Sequence, residues 1–248
     1  MSQHTLSIPS SSPEFRGSVP SATPPLLQTL STPSSTTPPH LYIDKIFYIN
    51  LDKRTDRREQ IESELLKMGL EGERYSAMYT PHSGIIGCGY SHLNVLKLAK
   101  ERGYKNVLIL EDDFEFVVSK ETLETSMEEF FNNSLGSIEY DVLMISYIVQ
   151  KSEIVPEFPF IKRVLDGQTA AGYIVNGNYL DSLIKLYEWA IPLLEQTNEH
   201  WNYSNDHVWK KLQPNDKWYY FINRLGKQRN SYSDNKQCVI ENNDGFMA

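Results

Sequence analysis

From Lys45 onward the chain alternates short β-branched and aromatic runs with longer stretches whose apolar residues recur at helical spacing. Lys45 to Asn50 (Lys-Ile-Phe-Tyr-Ile-Asn) reads as a first strand, and a polar, basic loop follows through Leu51 to Arg58. Ile61, Leu65, Leu66 and Met68 then mark the apolar stripe of a helix that Gly69 can end. Glu73 to Met78 reads as a second strand. The glycine-bearing segment Gly84 to Gly89 leads into a helix with Leu93, Leu96 and Ala99 inward and Gly103 at its end. Next comes Asn106 to Leu110, a short apolar run of the kind found in strands buried on both faces, and it runs straight into Glu111, Asp112 and Asp113. Ser119 suits the N-cap of a helix whose inner face is Leu123, Met127, Phe130 and Phe131. Asp141 to Ser146, Thr169 to Val175 and Lys217 to Ile222 read as further strands. A helix runs through Leu180, Leu183, Ile184 and Tyr187, and Ser204 or Asn205 caps a short helix carrying Asp206 and His207. Strands alternating with helices predict an α/β domain with a mainly parallel sheet and no internal repeat. The last 20 residues look irregular and polar, with Met247 and Ala248 frayed.

Composition divides the chain unevenly. Between Met1 and His40, ten Ser, six Thr and eight Pro fill 24 of 40 positions, and only Glu14 and Arg16 are charged. Such a segment cannot bury a core, so residues 1–40 read as a disordered leader or stalk, within which Ser12 to Arg16 resemble a cloning scar. Residues 41–248 suit one domain with an ample core. The net charge of −8 belongs to that folded part and argues against a general nucleic-acid binder. No apolar window is long enough to span a membrane, and the N-terminus lacks a basic region followed by an apolar one, so a cytoplasmic chain without an integral membrane segment is expected. Cys88 and Cys238 are too few and too far apart for a disulfide framework.

The acids at the end of the Asn106 run carry the first chemical expectation. In open α/β sheets ligands bind at the C-terminal strand edge, where three carboxylates can cradle a hard divalent cation holding a phosphate. A solvated acidic turn is the plainer alternative. Asn50 to Arg58 brings Arg54, Arg57, Arg58 and a helix N-terminus to the same edge, groups that suit phosphate or a base carbonyl. The plainer alternative there is a solvated helix start, with Arg58 merely pairing with Glu62. The pattern lacks the glycines of a P-loop or a dinucleotide fingerprint. Gly87 to His92 offers close backbone approach plus the polar groups of Ser91 and His92; a capped helix with a satisfied histidine is the competing reading. Cys88 reads as a small buried residue rather than a nucleophile. Asp206 can serve as a general base and His207 can complete a metal shell or contact phosphate, unless Asp206 only complements the helix dipole. One arrangement unites these pieces. Glu111, Asp112 or Asp113 hold a metal that neutralises a leaving diphosphate, while Asp206 deprotonates an incoming hydroxyl, which is the logic of metal-assisted sugar transfer.

Tyr48-Ile49-Asn50-Leu51 with Arg54 and Arg57, then Gly84, Gly87-Cys88, Ser91-His92 and Leu108-Ile109-Leu110-Glu111-Asp112-Asp113, resemble the ordered signature of glycosyltransferase family 25. That family includes lipooligosaccharide and procollagen galactosyltransferases. The resemblance continues through Gly172-Tyr173-Ile174-Val175, Asp206, and Gln228 with Ser231-Tyr232-Ser233-Asp234, and so covers roughly Ile43 to Asp234. It implies a GT-A type, Rossmann-like single domain with a mainly parallel mixed sheet flanked by helices. It also implies a UDP-galactose or UDP-glucose donor, dependence on Mn²⁺ or Mg²⁺, and inversion at the anomeric carbon. By this similarity Glu111 lies near the ribose and Asp113 on the metal, with Asp112 assisting either. Asn50, Leu51, Arg54 and Arg57 line the nucleotide pocket beside Ser91 and His92. Inversion needs a base, assigned to Asp206; His207 is assigned to the metal or diphosphate from the expected fold rather than from a motif. The acceptor expected is a glycan or glycoprotein hydroxyl, in an enzyme of bacterial or viral type. Two rivals stand beside this: a catalytically silent binding or assembly module, and a nucleotidyl- or phosphotransferase using the acids on two metals.

Overall fold

The computed structural model of the chain describes residues 42–134, 137–233 and 238–240, which lie within one compact unit. The leader read at residues 1–40, including Ser12 to Arg16, and the terminal Met247 and Ala248 lie outside the described residues.

The first strand, β1 (Lys45–Asn50), forms where the β-branched and aromatic run predicts it, and α1 (Thr55–Lys67) follows. Then come β2 (Glu73–Ser76), α2 (Gly84–Glu101), β3 (Asn106–Glu111), β4 (Phe114–Phe116) and α3 (Lys120–Phe131). The second half holds β5 (Val142–Met144), β6 (Ile148–Ile154), β7 (Ile161–Gln168), β8 (Gly172–Asn176), α4 (Leu180–Thr197), α5 (His200–Tyr203), α6 (Asn205–Val208) and β9 (Trp218–Phe221). β10 (Gly226–Gln228), β11 (Ser231–Ser233) and β12 (Cys238–Ile240) close the described chain.

Strand alternation explains why the central runs are apolar at every position. Successive side chains point to opposite faces, so a strand covered on both sides needs two apolar sets. Phe47, Ile49, Val107, Ile109, Tyr173 and Val175 meet Leu93 and Leu96 of α2 and Leu183 and Tyr187 of α4 on one face. Ile46, Tyr48, Leu108, Leu110 and Ile174 meet Ile61 and Leu65 of α1 and Leu123, Met127 and Phe130 of α3 on the other. Ser119 caps α3 as expected, its hydroxyl accepting the Thr122 N–H at 3.2 Å.

The main sheet has the order β2-β1-β3-β8-β5-β9-β7-β6. Six of its eight strands run in one sense, with β8 and β7 reversed, so the sheet is mixed but mainly parallel. This is the α/β sheet flanked by helices that the resemblance implies. β2, β1 and β3 are parallel neighbours, so their C-terminal exits share one edge.

Several elements differ from expectation. The hairpin β6–β7 was not anticipated because Ile148–Ile154 is mostly polar and lies exposed at the end of the sheet. The final stretch, expected to be irregular, contains the antiparallel pair β11–β12. Thr169 cannot start a strand because it adopts φ 89°, and β8 begins three residues later. Gly84, Gly87 and Gly89 belong to α2 itself rather than to a loop before it.

Candidate active site

At the end of β3, pleating separates the acids. Glu111 turns toward α2, where its Oε1 lies 3.0 Å from His92 Nε2 and 3.5 Å from Cys88 Sγ. Asp112 turns toward the β1 exit: Asn50 Nδ2 donates to its Oδ2 at 2.8 Å and Arg57 Nη1 to its Oδ1 at 2.9 Å. Asp113 is held by the same Arg57 nitrogen at 3.1 Å and by Gln228 Nε2 at 3.1 Å, both on Oδ2. Its other oxygen, Oδ1, is buried and has no hydrogen-bond partner. Pairing of β4 with β10 brings Gln228 here, and the Arg229 N–H donates to the Asp113 carbonyl at 2.6 Å.

Electrostatics follow from this crowding. Burial, then the charges of Glu111 and Asp112, push the Asp113 carboxyl up to about 7 despite Arg57 and Gln228. Burial also raises Asp112, partly offset by Arg57 and Asn50. Burial opposes ionisation of Glu111 too, but His92, the Cys88 thiol and Arg57 outweigh it and hold Glu111 below the ordinary carboxylate value. Asp112 and Asp113 thus share one guanidinium beside Glu111, and one buried carboxylate oxygen is left without a donor. That donor set fits a hard divalent cation, whose charge would favour the ionised form of all three acids.

The β1 exit is arranged around Asn50. Its amide donates to the Arg54 carbonyl at 2.9 Å as well as to Asp112, and Arg74 Nε donates to its Oδ1 at 3.0 Å. Arg74 also reaches the Asn50 carbonyl at 3.2 Å and Asp52 at 2.5 Å. Sequence reasoning missed Arg74; the only trace was a cation inside a short strand that pairs with β1. Arg54 forms a two-pronged pair with Asp56 at 2.9 and 2.8 Å at the start of α1. The half-buried Leu51 accepts the Arg54 N–H on its carbonyl. Arg58 pairs with Glu62 at 2.9 Å, the plainer alternative for that residue.

Ser91 and His92, expected to touch the donor, are fully buried behind the edge. The Ser91 hydroxyl donates to the Gly87 carbonyl at 2.6 Å and accepts the Met78 N–H at 2.9 Å. The two His92 nitrogens face Tyr173 Oη at 2.8 Å and Glu111. With their polar positions engaged within the chain, these side chains hold the groups in front of them. Ligand-type atoms of Cys88, His92 and Glu111 lie within 4.8 Å of one another.

Asp206 reaches the same region from α6. Its Oδ2 accepts the Thr169 N–H at 3.3 Å and its Oδ1 the Ser204 hydroxyl at 3.2 Å, while Asn205 Nδ2 lies 3.7 Å from Cys88 Sγ. Burial and then the carboxylates of Glu111, Asp206 and Asp113 raise the Cys88 thiol well above its ordinary value, which disfavours the reactive thiolate. His207 is half-buried on α6, and among the described residues its ring joins no group of three ligand-type side chains. No helix of the described residues is long and apolar enough to cross a membrane.

No protein-family model matches the chain. A Drosophila melanogaster protein named glycosyltransferase 25 family member is 27% identical over 143 residues, covering 47% of this chain and 23% of its own length. The human inactive glycosyltransferase 25 family member 3 is 26% identical over 170 residues, 57% of this chain and 27% of its own. Procollagen galactosyltransferase 1-B of Xenopus laevis is 24% identical over 136 residues, 44% and 22% respectively. The match therefore spans about a quarter of the length of these curated relatives. Among solved structures, a glycosyltransferase involved in glycosylation of the major capsid of PBCV-1 aligns with 11% identity and a TM-score of 0.47, covering 78% of this chain and 95% of that one. The chain is similar to the glycosyltransferase 25 family over about half its length, which bears out the resemblance carried by its motifs.

Proposed function

We propose that the chain is an inverting, metal-dependent glycosyltransferase that moves galactose or glucose from a UDP-sugar to a hydroxyl of a glycan or glycoprotein. The observation that carries this reading is Asp113 Oδ1, a buried carboxylate oxygen without a partner at the end of β3, beside two further carboxylates. Asp113 with Glu111 would hold Mn²⁺ or Mg²⁺, and the bound cation would neutralise the leaving diphosphate. The chain's own residues account for the rest. Asn50 and Arg57 fix Asp112, and His92 fixes Glu111, so the acids are aimed before any ligand arrives. Asp206 is proposed to take the proton of the acceptor hydroxyl as its oxygen bonds to the anomeric carbon and the bond to UDP breaks on the opposite face.

A silent nucleotide-sugar-binding module is the second reading, favoured by the relative named inactive and by a guanidinium already lying across Asp112 and Asp113. One set of measurements separates the two. Thermal unfolding with UDP is expected to rise in the presence of Mn²⁺ and to return on adding EDTA, since a ligand at 100 times its dissociation constant adds about 2.7 kcal/mol. Asp113→Ala is expected to abolish that shift and all transfer. Asp206→Asn is expected to keep the shift but lose about 10²- to 10⁴-fold in turnover. Transfer at the wild-type rate by Asp113→Ala sinks the proposal. Binding without transfer to any acceptor supports the silent module, and release of pyrophosphate from a triphosphate supports a nucleotidyltransferase.

A further inference from the structure

Tyr79 stands out on the edge that carries the acids. It is 63% exposed, yet the residues on both sides of it are tied down. The Ala77 N–H donates to the Asn50 carbonyl at 3.0 Å, the Met78 N–H to Ser91 Oγ at 2.9 Å, and the Gly87 N–H to Thr80 Oγ1 at 2.9 Å. Thr80 Oγ1 in turn donates to the Ser83 carbonyl at 2.6 Å. Gly87 is obligatory in this clamp, because a Cβ there would stand 2.3 Å from the Met78 carbonyl oxygen. An anchored loop that holds out a large aromatic ring differs from a mobile tip, where such a ring would be free to fold back onto apolar surface. Lys53 of the β1 exit lies over the ring, 4.7 Å from its centroid, and the exposure of the residue leaves ring surface open to a further partner.

The position of the ring relative to the acids defines what that partner is. Tyr79 follows β2 and the acids follow β3, with β1 between them in a parallel register that pairs Asn50 with Ser76 and Ile49 with Glu111. Two interstrand spacings separate the exits, on the order of 10 Å. A ligand bridging them carries a flat apolar group at one end and a charged group that a cation can hold at the other. A nucleoside diphosphate has both, at a comparable separation. We infer that Tyr79 is the stacking platform for the nucleobase, and that Gly87 and Ser91 serve the site by fixing the loop that presents it. This rests on the donor-site reading above and adds to it the residue that receives the base. A base stacked on the face opposite Lys53 would leave the cation–π contact between the ammonium and the ring in place.

The test compares ligands with and without a base. Binding of UDP, ADP and inorganic pyrophosphate, each with Mn²⁺, is measured by calorimetry for the wild-type chain, Tyr79→Ala and Tyr79→Phe. Tyr79→Ala is expected to weaken both nucleotides by about tenfold to a hundredfold, the loss that follows removal of one base-stacking side chain, and to leave pyrophosphate unchanged. Tyr79→Phe is expected to bind all three like wild type. An equal loss for pyrophosphate, or no loss for UDP, overturns the platform while leaving the donor site standing. A wild-type chain that binds pyrophosphate but neither nucleotide overturns the platform and the donor reading together. An unliganded unfolding midpoint equal to wild type confirms that the exposed ring has no part in holding the fold.

Discussion

Arg57 is the residue on which the charge balance of the acidic edge turns. One of its nitrogens lies 2.9 Å from Asp112 and 3.1 Å from Asp113, and all three side chains are nearly enclosed. Removing one partner from an enclosed ion pair leaves the other charges uncompensated, a loss of about 3–5 kcal/mol. Arg57→Ala is therefore expected to lower denaturant stability in metal-free buffer by about 3 kcal/mol or more. A loss under about 1 kcal/mol, typical of solvated surface pairs, would show that the guanidinium does not neutralise the aspartates. The acids themselves were legible in the sequence, because an apolar strand ending in three carboxylates is a local pattern. Their partners were only half legible. Arg57 and Asn50 belong to a basic strand exit, but Arg74 and Gln228 reach the site through strand pairing that no local pattern records. Ser91 and His92 show the converse limit: residue type suggested ligand contact, and only the fold shows that both lie buried in α2 with their polar atoms bonded within the chain.

At the level of elements, the glycines at the start of α2 distinguish packing from propensity. Glycine inside a helix is unfavourable by about 1 kcal/mol relative to alanine, so each one retained needs a local reason. Gly87 has one: a methyl group there would meet the Met78 carbonyl at 2.3 Å and Thr80 Oγ1 at 2.7 Å. Gly89 has none of comparable force, since a methyl would meet only Ile191 carbons at 3.4 and 3.5 Å, ordinary contact distances. Gly87→Ala is expected to destabilise the chain by about 1–3 kcal/mol, as overpacking does, whereas Gly89→Ala is expected to be neutral or stabilising by up to about 1 kcal/mol. Urea unfolding of the two variants side by side checks this, and equal effects would remove the close-approach account of Gly87. The same element explains a misplaced boundary. Three glycines in six residues read as a loop, and only the approach of the 77–80 segment shows why the helix carries Gly87. Elsewhere the buried strands and amphipathic helices were readable from periodicity, because each owes its residues to a face it covers. The β6–β7 hairpin was not, since a polar strand exposed at the end of a sheet has no apolar set to show.

For the molecule as a whole, covering the sheet on both faces encloses tyrosine hydroxyls along with the apolar side chains. Burial, with Glu62 nearby, pushes Tyr48 from an ordinary 10.0 up to about 12, and burial outweighs Arg224 to bring Tyr147 to about 12. Burial carries Tyr140 and Tyr179 further up, the latter helped by its hydrogen bond to Asp216, and enclosed Tyr173 and Tyr187 rise well above the ordinary value. Below about pH 10 these phenols are protonated whether the chain is folded or not, so they take nothing from stability. Above it the unfolded chain releases protons that the folded chain retains, and stability falls as pH climbs toward about 12. The net charge of −8 becomes more negative over the same range as lysines lose their protons, adding self-repulsion in the same direction. An alkaline titration followed by phenolate absorbance is expected to show one group of tyrosines ionising near pH 10. A second group is expected to ionise later, in a single step that coincides with loss of near-ultraviolet circular dichroism. If all fifteen tyrosines ionised together near pH 10 while the dichroism persisted, the hydroxyls would be in contact with water and the two-sided enclosure of the sheet would be wrong.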